Sequence, residues 1–355
     1  MEMMRSTSKR QGPVLRRLLV NLALLVIALI ASESAWAAAL TRTPVRIEVP
    51  GDKNLQFFTL WVALGAGYFQ QEGLEPKILV DATPRSAGQL LFQGQADVAL
   101  LPPPMFLGMM AEDKPILLFA SLLANEPINL ALRKSVADAR QVSAHASLRE
   151  RLQAIRGLRI GLASEVAPRL RALFASAGMN ADKDVQLITI AGPDQVKAFA
   201  DDRIEALFAH TPYLETVLVQ HGAVLLVDTS GGEVPILADG QIHALGTTRA
   251  LARSKPEMMA AVARAIYQAQ RLVHSDAKGT VDALLAYGVA GRERRMVEAF
   301  AAVYGPAVPR NPQISLEGIE RDAALYPAHP RAPDFTKVKA ADYVASQFAD
   351  QAAKP

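Results

Sequence analysis

Short β-rich runs alternate with helical patterns in two successive sets along this chain, and that alternation restricts it to an α/β fold with mostly parallel sheets. Val45-Arg46-Ile47-Glu48-Val49 alternates apolar and polar side chains over a strand length, and Leu60, Ala63, Leu64 and Gly67 follow with the spacing of one helical face. Ile78-Leu79-Val80 leads into Thr83-Pro84, an N-cap with proline at the first helical position, and the helix carrying Leu90 and Leu91 is expected to stop at Gly94. Asp97 to Leu101 reads as a strand buried on both faces, broken by Pro102-Pro103-Pro104 before a Met-, Phe- and Leu-rich helix.

A second set opens with a buried strand from Leu158 to Ala163 and a helix begun by Pro168 and ended by Gly178. Strands are expected over Val185 to Ile190, Ile204 to Ala209 and Ala223 to Val227, with helices from Pro193 to Ala200 and from Pro212 to Gln220 between them. Two β/α lobes follow, with right-handed crossovers setting the strand directions. A last helical pattern, Ala340 to Ala349, suits a peripheral helix.

The first 37 residues read as an export signal rather than as part of the fold. Arg5, Lys9, Arg10, Arg16 and Arg17 precede an apolar stretch from Leu18 to Ala31, and Ala35-Trp36-Ala37 places small residues where a signal peptidase reads. About 14 apolar residues, interrupted by Asn21, fall short of the roughly 20 that a membrane-spanning helix needs. Five basic residues against Glu2 and Glu33 give this leader the whole formal charge of +3, so the mature chain is close to neutral. A clustered basic surface for nucleic acid is therefore not expected.

The chain contains no cysteine, which removes disulfides, thiolate nucleophiles, soft-metal ligation and lipid attachment. The six histidines (His145, His210, His221, His243, His274, His329) show no H-x-x-x-H or H-x-H spacing. Neither a G-x-S-x-G elbow nor a G-x-x-x-x-G-K-[ST] loop is present, so the expectation is a non-enzyme with no cofactor and no metal.

Four ordered segments then carry a resemblance. Trp61-Val-Ala-Leu-Gly-Ala-Gly-Tyr-Phe-Gln-Gln-Glu-Gly-Leu-Glu75, Leu91-Phe-Gln-Gly-Gln-Ala-Asp-Val-Ala99, Ile155-Arg-Gly-Leu-Arg-Ile-Gly161 and Arg203-Ile-Glu-Ala-Leu-Phe-Ala-His-Thr-Pro-Tyr213 are similar to segments of the nitrate/sulfonate/taurine type of periplasmic substrate-binding protein of ABC importers, in the thiamine-pyrimidine-precursor-binding-like superfamily. The resemblance implies a type 2 periplasmic binding protein fold, with two α/β lobes joined by two hinge crossings. Residues 44–128 plus 244–355 would form lobe I and 129–243 lobe II, with candidate hinge strands at Ile128 to Leu132 and His243 to Thr247. It also implies a periplasmic monomer that captures a small sulfonate, carboxylate or N-heterocycle by hinge closure and delivers it to a cognate permease and ATPase. A sensor role, or an enzyme on the same fold, is the alternative. Many members carry Trp and an acidic residue before the Pro-Tyr pair, where this chain has His210-Thr211, so the ligand does not carry over.

In open parallel sheets, ligands bind beyond the carboxyl ends of the strands, beside helix N-termini. That rule selects Asn54, Phe57, Thr83, Arg85, Pro103, Met105, Glu126, Ser164, Glu165, His210 and Tyr213 as candidate ligand-binding residues. Arg85 offers a forked guanidinium to an anion, Ser164 and Thr83 offer hydroxyls, and Tyr213 and Met105 offer an apolar wall. Glu126 and Glu165 instead suit an ammonium or a ring N–H. Glu233 lies at another strand tip with the same chemistry.

Overall fold

The computed structural model describes residues 42–51, 55–81, 86–143, 145–289, 293–325, 334 and 338–354. Two five-stranded sheets carry the fold, in the orders β2-β1-β3-β10-β4 and β7-β6-β8-β5-β9. The first comprises β1 (Thr43–Val49), β2 (Leu74–Val80), β3 (Val98–Leu101), β4 (Ile116–Leu123) and β10 (His243–Thr248). The second comprises β5 (Asn129–Leu132), β6 (Arg159–Leu162), β7 (Gln186–Thr189), β8 (Ala206–Ala209) and β9 (Val224–Val227).

Each sheet is mixed, which refines the expectation of a mostly parallel one. β10 runs antiparallel to both β3 and β4, and β5 runs antiparallel to both β8 and β9, while β1–β3, β6–β7 and β6–β8 pair in parallel. The reason is topological: β5 and β10 are the strands entered directly from the other lobe, so each arrives pointing the opposite way. The chain passes from β4 to β5 through residues 124–128 and returns to β10 through residues 238–242. The expected hinge strands are thus the first strands after each crossing.

Among the helices around the sheets are α1 (Phe58–Gly65), α2 (Pro103–Ala111), α3 (Ala167–Ser176), α4 (Tyr213–Gln220), α5 (Pro256–Ser275), α6 (Ala277–Tyr287), α7 (Arg294–Tyr304) and α8 (Leu316–Leu325). The alternation in β1 sends Val45, Ile47 and Val49 into the main core and Glu48 to the opposite face. Gly67 and Gly73 adopt φ of 72° and 73°, left-handed values that let the chain turn out of α1 and into β2 at little steric cost.

One apolar cluster runs through both sheets, joining Ile47, Trp61 and Phe58 to Leu207, Leu214 and Val217 by way of Phe300 and Tyr304 of α7. Phe300 and Tyr304 are 1% and 2% exposed, and full burial of each such side chain is worth about 1.5–3 kcal/mol. Arg295 adds a hydrogen bond to the Val219 carbonyl, 2.6 Å, so α7 bridges toward α4. The pattern Ala340 to Ala349 does not form one helix. It splits into a 3₁₀ turn, Ala340–Tyr343, and a helix, Ser346–Ala352, because Ala345 N–H donates to Leu118 O of β4 at 2.8 Å and pulls the backbone out of helical geometry between them. Among the described residues, no helix is long and apolar enough to cross a membrane.

Candidate functional site

The two crossings meet the carboxyl ends of β6 and β8, and six ionisable side chains gather there. Glu126 comes from the first crossing, Glu165 and Arg169 from the β6–α3 connection and the start of α3, His210 from the end of β8, His243 from the start of β10, and Asp322 from α8. Pro168 presets the first turn of α3, which turns Arg169 inward to form an ion pair with Glu126 through Nε and Oε2. The Arg169 and Glu126 side chains are only 10% and 4% exposed. Arg169 Nη1 also donates to the Glu165 carbonyl at 3.4 Å.

Both histidines of the group are held neutral. Burial lowers the His210 imidazole below its ordinary value, partly offset by the Thr211 carbonyl and by Glu165 and Glu126. Burial also pushes His243 down to about 3, and the nearby Arg169 and His210 push in the same direction. His243 packs edge-on against Phe57, with ring centroids 5.3 Å apart, and its Nδ1 has no hydrogen-bond partner among the described residues. Asp322 is pushed up to about 7 by burial, although its carboxylate accepts the Gln241 N–H at 2.8 Å. A guanidinium, carboxylates and neutral imidazoles side by side can both donate to and accept from a ligand.

The start of the short helix Gln89–Phe92 in the first lobe is already filled by the protein, while the helix start expected at Thr83-Pro84 lies outside the described residues. Glu48, fully buried, accepts the N–H groups of Leu90 and Leu91 at 3.1 and 2.9 Å, at the start of the short helix Gln89–Phe92. Asp81 lies beside Glu48 and is pushed up to about 7 by burial and by that neighbouring carboxylate. The Glu48 and Asp81 carboxyls make this end of the sheet acidic.

Among the residues selected from sequence, Glu126, Glu165 and His210 belong to the group itself, Glu126 buried and Glu165 on its exposed edge. Ser164 hydrogen-bonds Glu165 at 3.2 Å, Tyr213 lies 5.7 Å from His210 between ring centroids, and Phe57 reaches the group through His243. Tyr213 also covers Gly192, where an added Cβ would lie 2.7 Å from its hydroxyl, so part of its surface serves packing within its own lobe. Pro103 and Met105 open α2, and Met105 packs against a separate core with Leu107, Ile319 and Tyr343. Asn54, Thr83 and Arg85, like the export signal at 1–37, lie outside the described residues. Glu233 pairs with Arg151 at 2.8 Å and so serves a rim ion pair.

Sequence reasoning missed Arg169, His243 and Asp322. Arg169 follows Pro168 in the strand-to-helix turn and was the most accessible of the three to a pattern argument. Asp322 had no local signal, since α8 reaches the site only by folding back. Among the described residues, no group of three or more His, Asp or Glu side chains is arranged to hold a metal ion.

A pair of α/β lobes joined by two crossings, with charged side chains buried at their junction, defines the two-lobed binding-protein fold. Residues 53–285 match the model of the NMT1-like family, and the chain belongs to that family. Its fold is similar to that of the alkanesulfonate-binding protein SsuA from Xanthomonas axonopodis pv. citri, solved bound to MOPS, with a TM-score of 0.57, 18% identity, and coverage of 86% of this chain and 98% of that one. The periplasmic aliphatic sulphonate-binding protein SsuA from Escherichia coli gives a TM-score of 0.59 at 14% identity over 85% of this chain and 92% of that one. The desulfurization enzyme DSZB has the same fold, with a TM-score of 0.56 at 15% identity over 88% of this chain and 99% of that one. No curated protein matches the chain.

Proposed function

We propose that this protein is the periplasmic solute-binding component of an ABC importer, exported by a cleaved signal at 1–37 and working as a monomer with a separate permease and ATPase. Lobe I would comprise 44–128 plus 244–355, and lobe II 129–243. The observation that carries the reading is the buried Glu126–Arg169 pair beside His210 at the junction of the two crossings. A ligand contacting groups from both lobes favours the closed form by its differential affinity for it. The sulfonate-binding neighbours support the general role.

The charge pattern narrows the ligand. Arg169 is already balanced by Glu126, and the N–H groups of Leu90 and Leu91 are taken by Glu48. A bare oxyanion such as nitrate would meet more acid than base, whereas an aminosulfonate or an N-heterocycle with both donors and acceptors matches both signs.

Thermal-shift measurements on residues 38–355 test this with taurine, alkyl and aryl sulfonates, nitrate, aromatic carboxylates and pyrimidines. At about 100 times its Kd, a ligand adds about 2.7 kcal/mol to the native state, a shift of a few degrees. The expected hit carries both an N–H donor and an acceptor and disappears in Glu126→Gln. A hit confined to nitrate or simple carboxylates would overturn the ligand assignment, and a panel with no hit would count against the solute-binding role.

A further inference from the structure

The second crossing, residues 238–242, is gripped along its length by α8. Gly318 of α8 lies directly on the crossing backbone: a Cβ added there would be 2.7 Å from the Gly240 carbonyl carbon and 2.9 Å from Gln241 N. Gly240 is equally close to α8, since a Cβ on it would meet Asp322 Oδ1 at 2.6 Å. Gln241 donates its backbone N–H to Asp322 Oδ2 at 2.8 Å and accepts the Ser315 N–H through Oε1 at 3.1 Å. Arg321 donates to the Ala238 carbonyl, and the Asp239 N–H is taken by Asn125 Oδ1 at 3.1 Å.

The two ends of the helix are anchored differently. Ile319 is fully buried in the core formed with Phe106 and Met110 of α2, while Leu325 packs on the core of Leu152, Leu170 and Leu237 in the other lobe. A hinge works by changing the backbone angles of a few residues at element ends. Residues in backbone-to-backbone contact with a packed helix cannot rotate while that helix stays in place.

We propose that α8 is a latch on the hinge, with Gly318 as its bearing surface and Asp322 as its catch, so that the second crossing flexes only when α8 lifts. This rests on the hinge reading above, but it concerns the empty protein.

The catch is also proton-sensitive. Facing Asp322 are Glu126 from the first crossing, Arg169 from α3 and Arg321 from its own helix, and burial is the largest influence on its carboxyl, holding it near 7 against 3.8 in its ordinary state. A carboxyl raised in the latched form binds its proton more tightly there, so protons favour latching. The grip is therefore strongest below about pH 4, weakens by up to tenfold per pH unit as pH rises toward about 7, and then levels off. A protonated Asp322 still accepts the Gln241 N–H through its carbonyl oxygen.

Hydrogen exchange at the Gln241 amide of the ligand-free mature chain, corrected for the intrinsic pH dependence of exchange, reads the latch directly. The expected result is a protection factor that drops roughly tenfold per unit between pH 5 and pH 7, a flat profile in Asp322→Asn, and lowered protection at every pH in Gly318→Ala, with the Ala131 amide of β5 unchanged throughout. Retention of the pH dependence in Asp322→Asn, or unchanged Gln241 protection in Gly318→Ala, would overturn the latch. Because no ligand is present, either failure leaves the solute-binding proposal standing.

Discussion

Replacing Glu126 by Gln keeps the shape of the side chain, removes its charge, and leaves the Arg169 guanidinium at a position where only 10% of the side chain is exposed. Breaking a buried ion pair from one side costs about 3–5 kcal/mol, because the remaining charge keeps its desolvation penalty without its partner. For a chain of this size that is a fall in Tm of roughly 4–8 °C. Urea unfolding of the wild type, Glu126→Leu, Arg169→Met and the double variant Glu126→Leu/Arg169→Met would close a double-mutant cycle, with Glu126→Gln measured beside it. The double variant should recover most of the loss, since apolar groups of similar volume replace a buried pair at little cost. The single-variant cost should also change little between low and high salt, because buried pairs are weakly screened. A Glu126→Gln penalty below about 1 kcal/mol would place the pair in the class of solvated surface bridges and refute the reasoning. A stable double variant that no longer binds ligand would show that the pair is retained for recognition rather than stability.

Two further outcomes follow from other buried ionisable groups. Burial alone would raise Asp97, but hydrogen bonds from Arg46 and Lys255 outweigh it and hold the carboxyl down to about 2. Its stabilisation is therefore present above about pH 4 and lost as pH falls toward 2, an amount of about 2 kcal/mol that Asp97→Asn should remove from the pH dependence of urea midpoints. His243 shows the opposite chemistry: the native imidazole stays neutral to about pH 3, while the unfolded one gains its proton below 6.5. Stability is lost as pH falls through that window, and imidazole ¹⁵N shifts at pH 5 should show a neutral ring; a charged one would contradict the burial argument.

Much of the fold was legible because its signals are local. The alternation in β1, the proline at the start of α3 and the glycine after it each act within a few residues, and each element formed where its pattern lay. The antiparallel placement of β5 and β10 was not legible, since direction within a sheet depends on which lobe a strand enters from. The same limit governed the site. Glu126, Glu165 and His210 sit at strand ends and were found by that rule. His243 begins a strand that runs the other way, so the rule passed over it, and Asp322 arrives from 79 residues further along the chain. Helix Ser346–Ala352 began later than its pattern because pairing of Ala345 with β4 overrode local propensity.

The apolar cluster that passes through α7 bears on how such a protein can be cut and recombined. A fragment covering only 129–243 would lose Phe300 and Tyr304, which share one buried apolar cluster with its Leu214 and Val217. The sequence interval between the crossings is thus not a self-sufficient module. A transplant of the second lobe, whether by engineering or by recombination between relatives, has to bring α7 with it or supply a substitute for its buried face.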